Sequence, residues 1–71
     1  MKKIRLLIIE DNKLLREGIR AMVKEHNDIQ VVAALGDRIK VYDKIRDLKP
    51  NILLLDLGLA NQNSFLIELQ L

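Results

Sequence analysis

The sequence predicts an α/β fold on a parallel sheet, with its elements in the order βαβαβα. Three observations predict it. Short apolar runs recur at Ile4–Ile9, Ile29–Ala34 and Ile52–Leu55, the habit of strands buried on both faces. Stretches between them place apolar residues at helical spacing. Each run stops at residues that favour turns: Glu10-Asp11-Asn12, Gly36-Asp37, and Asp56 ahead of Gly58.

The first strand, IRLLII, gives way to a helix expected over about Lys13 to His26, where Leu15, Ile19, Met22 and Val23 form one stripe. Gly18 inside it costs up to about 1 kcal/mol relative to alanine, and Asn27-Asp28 ends it. The second strand, IQVVAA, leads into a helix expected from about Arg38 to Leu48, with Val41, Ile45 and Leu48 on one face. Lys49-Pro50-Asn51 stops that helix, because the residue before proline disfavours the helical region. The third strand ends in Asp56. After a loop containing Gly58, Asn61 and Asn63, a third helix is expected over Ser64–Leu71, with Ser64 as its N-cap. No repeat, low-complexity tract or linker interrupts this order, so residues 1–71 read as one domain.

Alternation of this kind implies right-handed crossovers in a parallel sheet. Two strand orders are open. If the chain reverses after the second strand, the third lies on the far side of the first, in order 2-1-3. A topological switch point then falls between strands one and three, where open α/β sheets bind ligands at the carboxyl ends of their strands.

Size and charge narrow the function. A chain of 71 residues buries only about 60% of its unfolded surface and is marginal alone. It has no cysteine, hence no disulfide and no thiolate metal site. The formal net charge is +2, from 12 basic and 10 acidic residues, too small a bias to argue for nucleic acid, and no basic recognition helix is present. Lys2, Lys3 and Arg5 precede an apolar run, but that run is far too short for a signal peptide or a membrane span. A cytoplasmic location is the expectation.

The chemistry lies in the carboxylates. In order 2-1-3, Glu10 and Asp11 at the end of strand one adjoin Asp56 at the end of strand three, since neighbouring strands are roughly 4.8 Å apart. Like charges this close require a proton, a basic partner or a cation. A hard, oxygen-liganded ion such as Mg²⁺ suits such a cluster and leaves room for a phosphate oxygen. The plainer reading is that acids end strands because turns are polar and Asx side chains cap helices; the placement of all three at one sheet edge favours the site.

The strand, Glu10-Asp11-Asn12 and Leu-rich helix resemble the start of a response-regulator receiver domain. So does Pro50-Asn51-Ile52-Leu53-Leu54-Leu55-Asp56-Leu57-Gly58-Leu59. Residues Leu14 to Asp37 (LLREGIRAMVKEHNDIQVVAALGD) resemble the receivers joined to helix-turn-helix DNA-binding output domains. The resemblance spans nearly the whole chain and the front half of the family's domain. It implies a truncated flavodoxin-like fold with order 2-1-3. It also implies that Asp11 binds Mg²⁺ directly, Glu10 binds it through water, and the Gly58 carbonyl is a backbone ligand. Asp56 would accept a phosphoryl group from a histidine kinase and touch the metal. The protein would be a phosphoacceptor rather than an enzyme.

This sequence departs from the family pattern in two ways. The hydroxyl-bearing switch residue and the strand-end lysine of the family's later strands have no counterpart, and none of Lys2, Lys3, Lys40, Lys44 or Lys49 is placed to replace that lysine. Ala60 stands where the family has proline, and Asn63-Ser64 where it has Asp-Gly. A half-domain would also leave an apolar sheet face beside the first helix partly bare, and strand three as an open edge. Self-association is therefore expected, as a symmetric dimer or by exchange of elements between copies.

Two other functions compete with the phosphoacceptor module. One is an assembly fragment that only dimerises or binds a partner. The other is a Mg²⁺-dependent phosphatase or phosphotransferase, against which Gly58 counts, because those enzymes place a second acid two residues after the nucleophile. Elsewhere the expectations are plain: His26 a surface or capping residue, Met22 core filler, Tyr42 half-buried with its hydroxyl in water, Asp37 a turn residue, and Lys40, Asp43, Lys44, Arg46 and Asp47 a solvated helix face.

Overall fold

The computed structural model describes residues 3–56 and 64–69. Its elements are β1 (Ile4–Glu10), α1 (Lys13–Lys24), β2 (Ile29–Leu35), α2 (Val41–Leu48), β3 (Ile52–Asp56) and β4 (Ser64–Glu68). They form one sheet in the order β2-β1-β3-β4. β1 pairs in parallel with both β2 and β3, and β4 runs antiparallel on β3. The 2-1-3 order is thus present, with a fourth strand added at its far side.

Alternation along β1 divides the apolar residues between two faces. Leu7 and Ile9 join Val41 of α2 and Leu53 of β3 in a buried cluster, against which Ala33, Leu35, Ile45, Leu55 and Leu69 pack. The opposite face carries Leu6 and Ile8, both buried. α1 contacts β1 and β2 and supplies nothing to the first cluster, so it covers the second face. The expected stripe of α2 is present: Val41 is buried, and Ile45 and Leu48 are half-buried.

Local chemistry sets the element ends. Asn12 caps α1, its Oδ1 accepting the Leu15 N–H at 3.0 Å. Asp37 Oδ1 accepts the Ile39 N–H at 2.9 Å, an Asx turn that holds residues 38–40 outside the helix. α2 therefore begins at Val41 rather than Arg38. At its other end Lys49 takes the left-handed conformation, φ 51°. The Arg5 guanidinium donates to the last carbonyls of α2, Leu48 O at 2.5 Å and Lys49 O at 3.4 Å, satisfying groups the helix cannot.

The same turn fixes strand register. Pro50 is fully buried. Asn51 Oδ1 accepts the Arg5 N–H at 2.9 Å, and the Asn51 N–H donates to the Arg5 carbonyl at 2.9 Å. β3 is thereby locked to β1 with Leu6 opposite Ile52, and the count along both strands brings Glu10 opposite Asp56.

Several expectations are corrected. The segment expected as a third helix with an N-cap at Ser64 is strand β4, whose Ser64–Glu68 pair with Asp56–Ile52. β3 is accordingly not an edge; β4 and β2 are. Phe65, Ile67 and Leu69 alternate onto the face of the main cluster, whereas Leu66 on the other face is 72% exposed. Met22 is 64% exposed rather than core, and Tyr42 is 82% exposed rather than half-buried. α1 rests on its half-buried Ile19 and Val23 and fully buries none of its residues. The turn residues Gly58, Ala60, Asn61 and Asn63 lie outside the described residues.

Candidate functional site

The site is assembled by the β1–β3 register. Glu10 and Asp56 are cross-strand neighbours at the carboxyl ends of two parallel strands, with Asp11 next in the chain. Glu10 is fully buried, Asp56 half-buried and Asp11 exposed. Glu10 Oε2 accepts the Asn12 N–H at 3.0 Å. Its Oε1 is buried without a hydrogen-bond partner.

Such a carboxylate is electrostatically costly. Burial raises the Glu10 pKa above its ordinary value; the Asn12 N–H opposes this, and the Asp56 and Asp11 carboxylates raise it further. Among the described residues no group of three or more His, Cys, Asp or Glu side chains stands in an ion-holding arrangement. The donor chemistry nonetheless fits a hard cation. Glu10 and Asp56 offer oxygen donors from adjoining strands, and the orphaned Oε1 is an acceptor that a cation or its water would satisfy. Gly58, the fourth expected ligand, is not among the described residues.

Arg16 is a site residue that the sequence reading missed. It closes the first turn of α1, and its Nη1 donates to the Glu10 carbonyl at 2.8 Å. A Cβ added to Gly36 at the end of β2 would stand 3.1 Å from the same nitrogen. The guanidinium thus spans the ends of β1 and β2 and brings a positive charge to the acidic edge. A sequence signal exists: a helix that begins at a strand's carboxyl end holds its early long side chains over the sheet edge. Looking only to lysines for the counter-charge passes over it.

His26 is exposed, as expected, and its backbone N–H closes the end of α1 on the Val23 carbonyl at 2.9 Å. On α2, Arg46 pairs with both Asp43 at 3.3 Å and Asp47 at 3.1 Å on the solvent side. No helix among the described residues is long and apolar enough to cross a membrane.

No family model matches the chain. Curated proteins do. It is 39% identical over 54 residues to a protein-glutamate methylesterase/protein-glutamine glutaminase of Methanospirillum hungatei, a match covering 76% of this chain and 16% of that protein. It is 33% identical over 64 residues to the oxygen regulatory protein NreC of Staphylococcus aureus, covering 90% of this chain and 30% of that protein. The chain therefore spans less than a third of the length of these relatives. Both are response regulators that carry a receiver domain. A sheet of order 2-1-3, the paired acids after β1, the aspartate ending β3 and these relatives together identify the chain as a member of the response-regulator receiver family, corresponding to the front part of that domain.

Proposed function

We propose that the chain is the phosphoacceptor portion of a two-component response regulator, with Asp56 as the acceptor and Glu10, Asp11, Asp56 and the Gly58 carbonyl as the Mg²⁺ ligands. The observation that carries this reading is the buried Glu10 Oε1, which lacks a partner and lies beside Asp56 at the switch point. A carboxylate kept unsatisfied in that position is a liability to the fold and suits a site that recruits a cation.

In this reading an Asp56 carboxylate oxygen attacks the phosphorus of a phosphohistidine on a partner kinase. The phosphorus–nitrogen bond breaks as the acyl phosphate forms, and the leaving imidazole takes up a proton from solvent. Mg²⁺, when bound, supplies charge neutralisation and alignment of the phosphoryl oxygens. Glu10 and Asp11 hold the ion's side of the site. Arg16 braces the end of β1 through the Glu10 carbonyl. The module would be cytoplasmic, and in a longer relative it would govern transcription through a helix-turn-helix output domain.

The test uses acetyl phosphate with Mg²⁺ and intact-mass spectrometry. One phosphoryl adduct on wild type, absent in Asp56→Asn and with EDTA, supports the proposal. No adduct under conditions that label an intact receiver overturns it for this chain.

A second reading is favoured by β4. Its Phe65 and Leu66 are 48% and 72% exposed, on a strand with an open edge. An assembly role without phosphoryl chemistry predicts a homodimer or element-exchanged oligomer. Light scattering that gives the mass of a single chain at micromolar concentration removes this reading.

A further inference from the structure

A groove of about 640 Å³ lies between α1 and the first half of β2. Glu17, Arg20, Ala21 and Lys24 face it from one stripe of the helix. Ala21 is small and leaves space, and Ile29 and Val31 of β2 add apolar surface. Lys3, Arg20, Lys24 and His26 line the groove as its basic groups, and Glu17 is its one acid among the described residues. None of the four basic side chains has an ion pair within the described residues. Arg20 and Lys24 are also an i,i+4 like-charge pair, which is unfavourable without a counter-ion. Complementing the negative end of the α1 dipole accounts for Lys24. It does not account for Lys3, which reaches the groove from the chain ahead of β1, and Glu17, three residues before Arg20, offsets one of these charges and leaves the groove net basic.

We propose that this groove is a second binding site, for a small phosphorylated molecule with an apolar or aromatic body of nucleotide size. Its volume falls within the roughly 300–1,000 Å³ typical of small-molecule sites. The basic rim matches a phosphate group, and Ala21, Ile29 and Val31 match the body. The site is separate from the acceptor carboxylates. Lys3 and Ile29–Val31 stand at the amino ends of β1 and β2, whereas Glu10 and Asp56 end their strands, about 20 Å along the sheet. A ligand here would load α1 and β2 without touching Asp56.

The full chain is titrated in EDTA with ATP and with pyrophosphate, followed by amide NMR, with sodium chloride at matched ionic strength and poly-glutamate as comparisons. Saturable shifts confined to Lys3 and residues 17–31, tighter for ATP than for pyrophosphate, are expected. Arg20→Gln with Lys24→Gln should weaken ATP binding about tenfold or more. Glu17→Gln should tighten it about two- to fivefold by removing the opposing charge. This second variant keeps the test decisive if the first fails to fold. The proposal is overturned if sodium chloride reproduces the shifts, if they centre on Glu10 and Asp56, if poly-glutamate binds and ATP does not, or if Glu17→Gln leaves affinity unchanged.

Discussion

Replacing Glu10 with glutamine should stabilise the metal-free fold while removing its response to Mg²⁺. The substitution is nearly isosteric. The amide oxygen can take the place of Oε2 and accept the Asn12 N–H, now held at 3.0 Å. The amide nitrogen then occupies the position of Oε1, the atom buried without a partner, and presents donors where Asp56 and Asp11 present carboxylates. Leaving a buried acceptor unsatisfied costs about 1–3 kcal/mol, more when it is charged. The variant should gain at least the lower figure in EDTA at a pH above the raised Glu10 pKa. In a domain of this size each kcal/mol moves the thermal midpoint by about 4–8 °C. Burial and the neighbouring acids hold the folded Glu10 pKa above the ordinary glutamate value that the unfolded chain retains. The wild type therefore takes up a proton on folding between the two values, and its penalty applies above the folded pKa. The advantage of the variant is full above the raised pKa of Glu10 and shrinks as acidification carries Glu10 through it. Under the proposed site, Mg²⁺ at a hundred times its dissociation constant adds about 2.7 kcal/mol to wild type and much less to the variant. Thermal melts by circular dichroism, with EDTA or Mg²⁺ across this pH range, measure all three effects. A variant less stable than wild type in EDTA, or a gap indifferent to pH, would refute the electrostatic argument. Equal stabilisation of both proteins by Mg²⁺ would refute Glu10 as a ligand.

Gly36→Ala should cost less than about 1 kcal/mol, because the new Cβ meets only the tip of a flexible Arg16 side chain at 3.1 Å. That cost should vanish in an Arg16→Gln background, and a double-mutant cycle by urea denaturation measures the coupling. Asn51→Ala removes the acceptor of the Arg5 N–H and should lower stability by about 1–2 kcal/mol; hydrogen exchange should rise at Arg5 and along β3. Asn12→Ala deletes the α1 cap and should cost about 1 kcal/mol, read as a loss of helical ellipticity and a lower urea midpoint.

Much of the fold is legible in the sequence because it depends on local pattern. The apolar runs of β1, β2 and β3 are short, uninterrupted and separated by helical spacing, so their parallel pairing needs little long-range information. The meeting of Glu10 with Asp56 follows from strand order and a count along the strands. The state of Glu10 does not follow. Its burial comes from the overlay of α1 and the grip of Arg16 on its carbonyl, contacts made between elements and absent from any single segment. Met22 and Tyr42 depart from expectation for a related reason. Helical spacing marks a stripe, but the width of the surface beneath decides how much of it is covered. α1 lies over two strands and leaves Met22 at the rim.

The segment expected as a helix is informative about what determines its conformation. Ser64–Leu71 reads as SFLIELQL, in which Phe65, Ile67 and Leu69 satisfy a period of two as readily as the same run satisfies a helix. Short apolar runs do not distinguish the two. The balance is set outside the segment, by β3. Without a neighbour on its far side, β3 would expose a row of unpaired amides and carbonyls, and β4 satisfies them while placing Leu69 against the main cluster. A helix there would satisfy its own backbone groups but leave those of β3 open. The antiparallel strand is therefore conditional on β3 having no other partner. A competing strand supplied in trans to the β3 edge should release residues 64–68 from the sheet. Residual dipolar couplings or hydrogen exchange on β4 amides, with and without a β-strand peptide that repeats the sequence of Ile52–Asp56, test this; β4 protection that is indifferent to a bound competitor would show that its pairing is intrinsic.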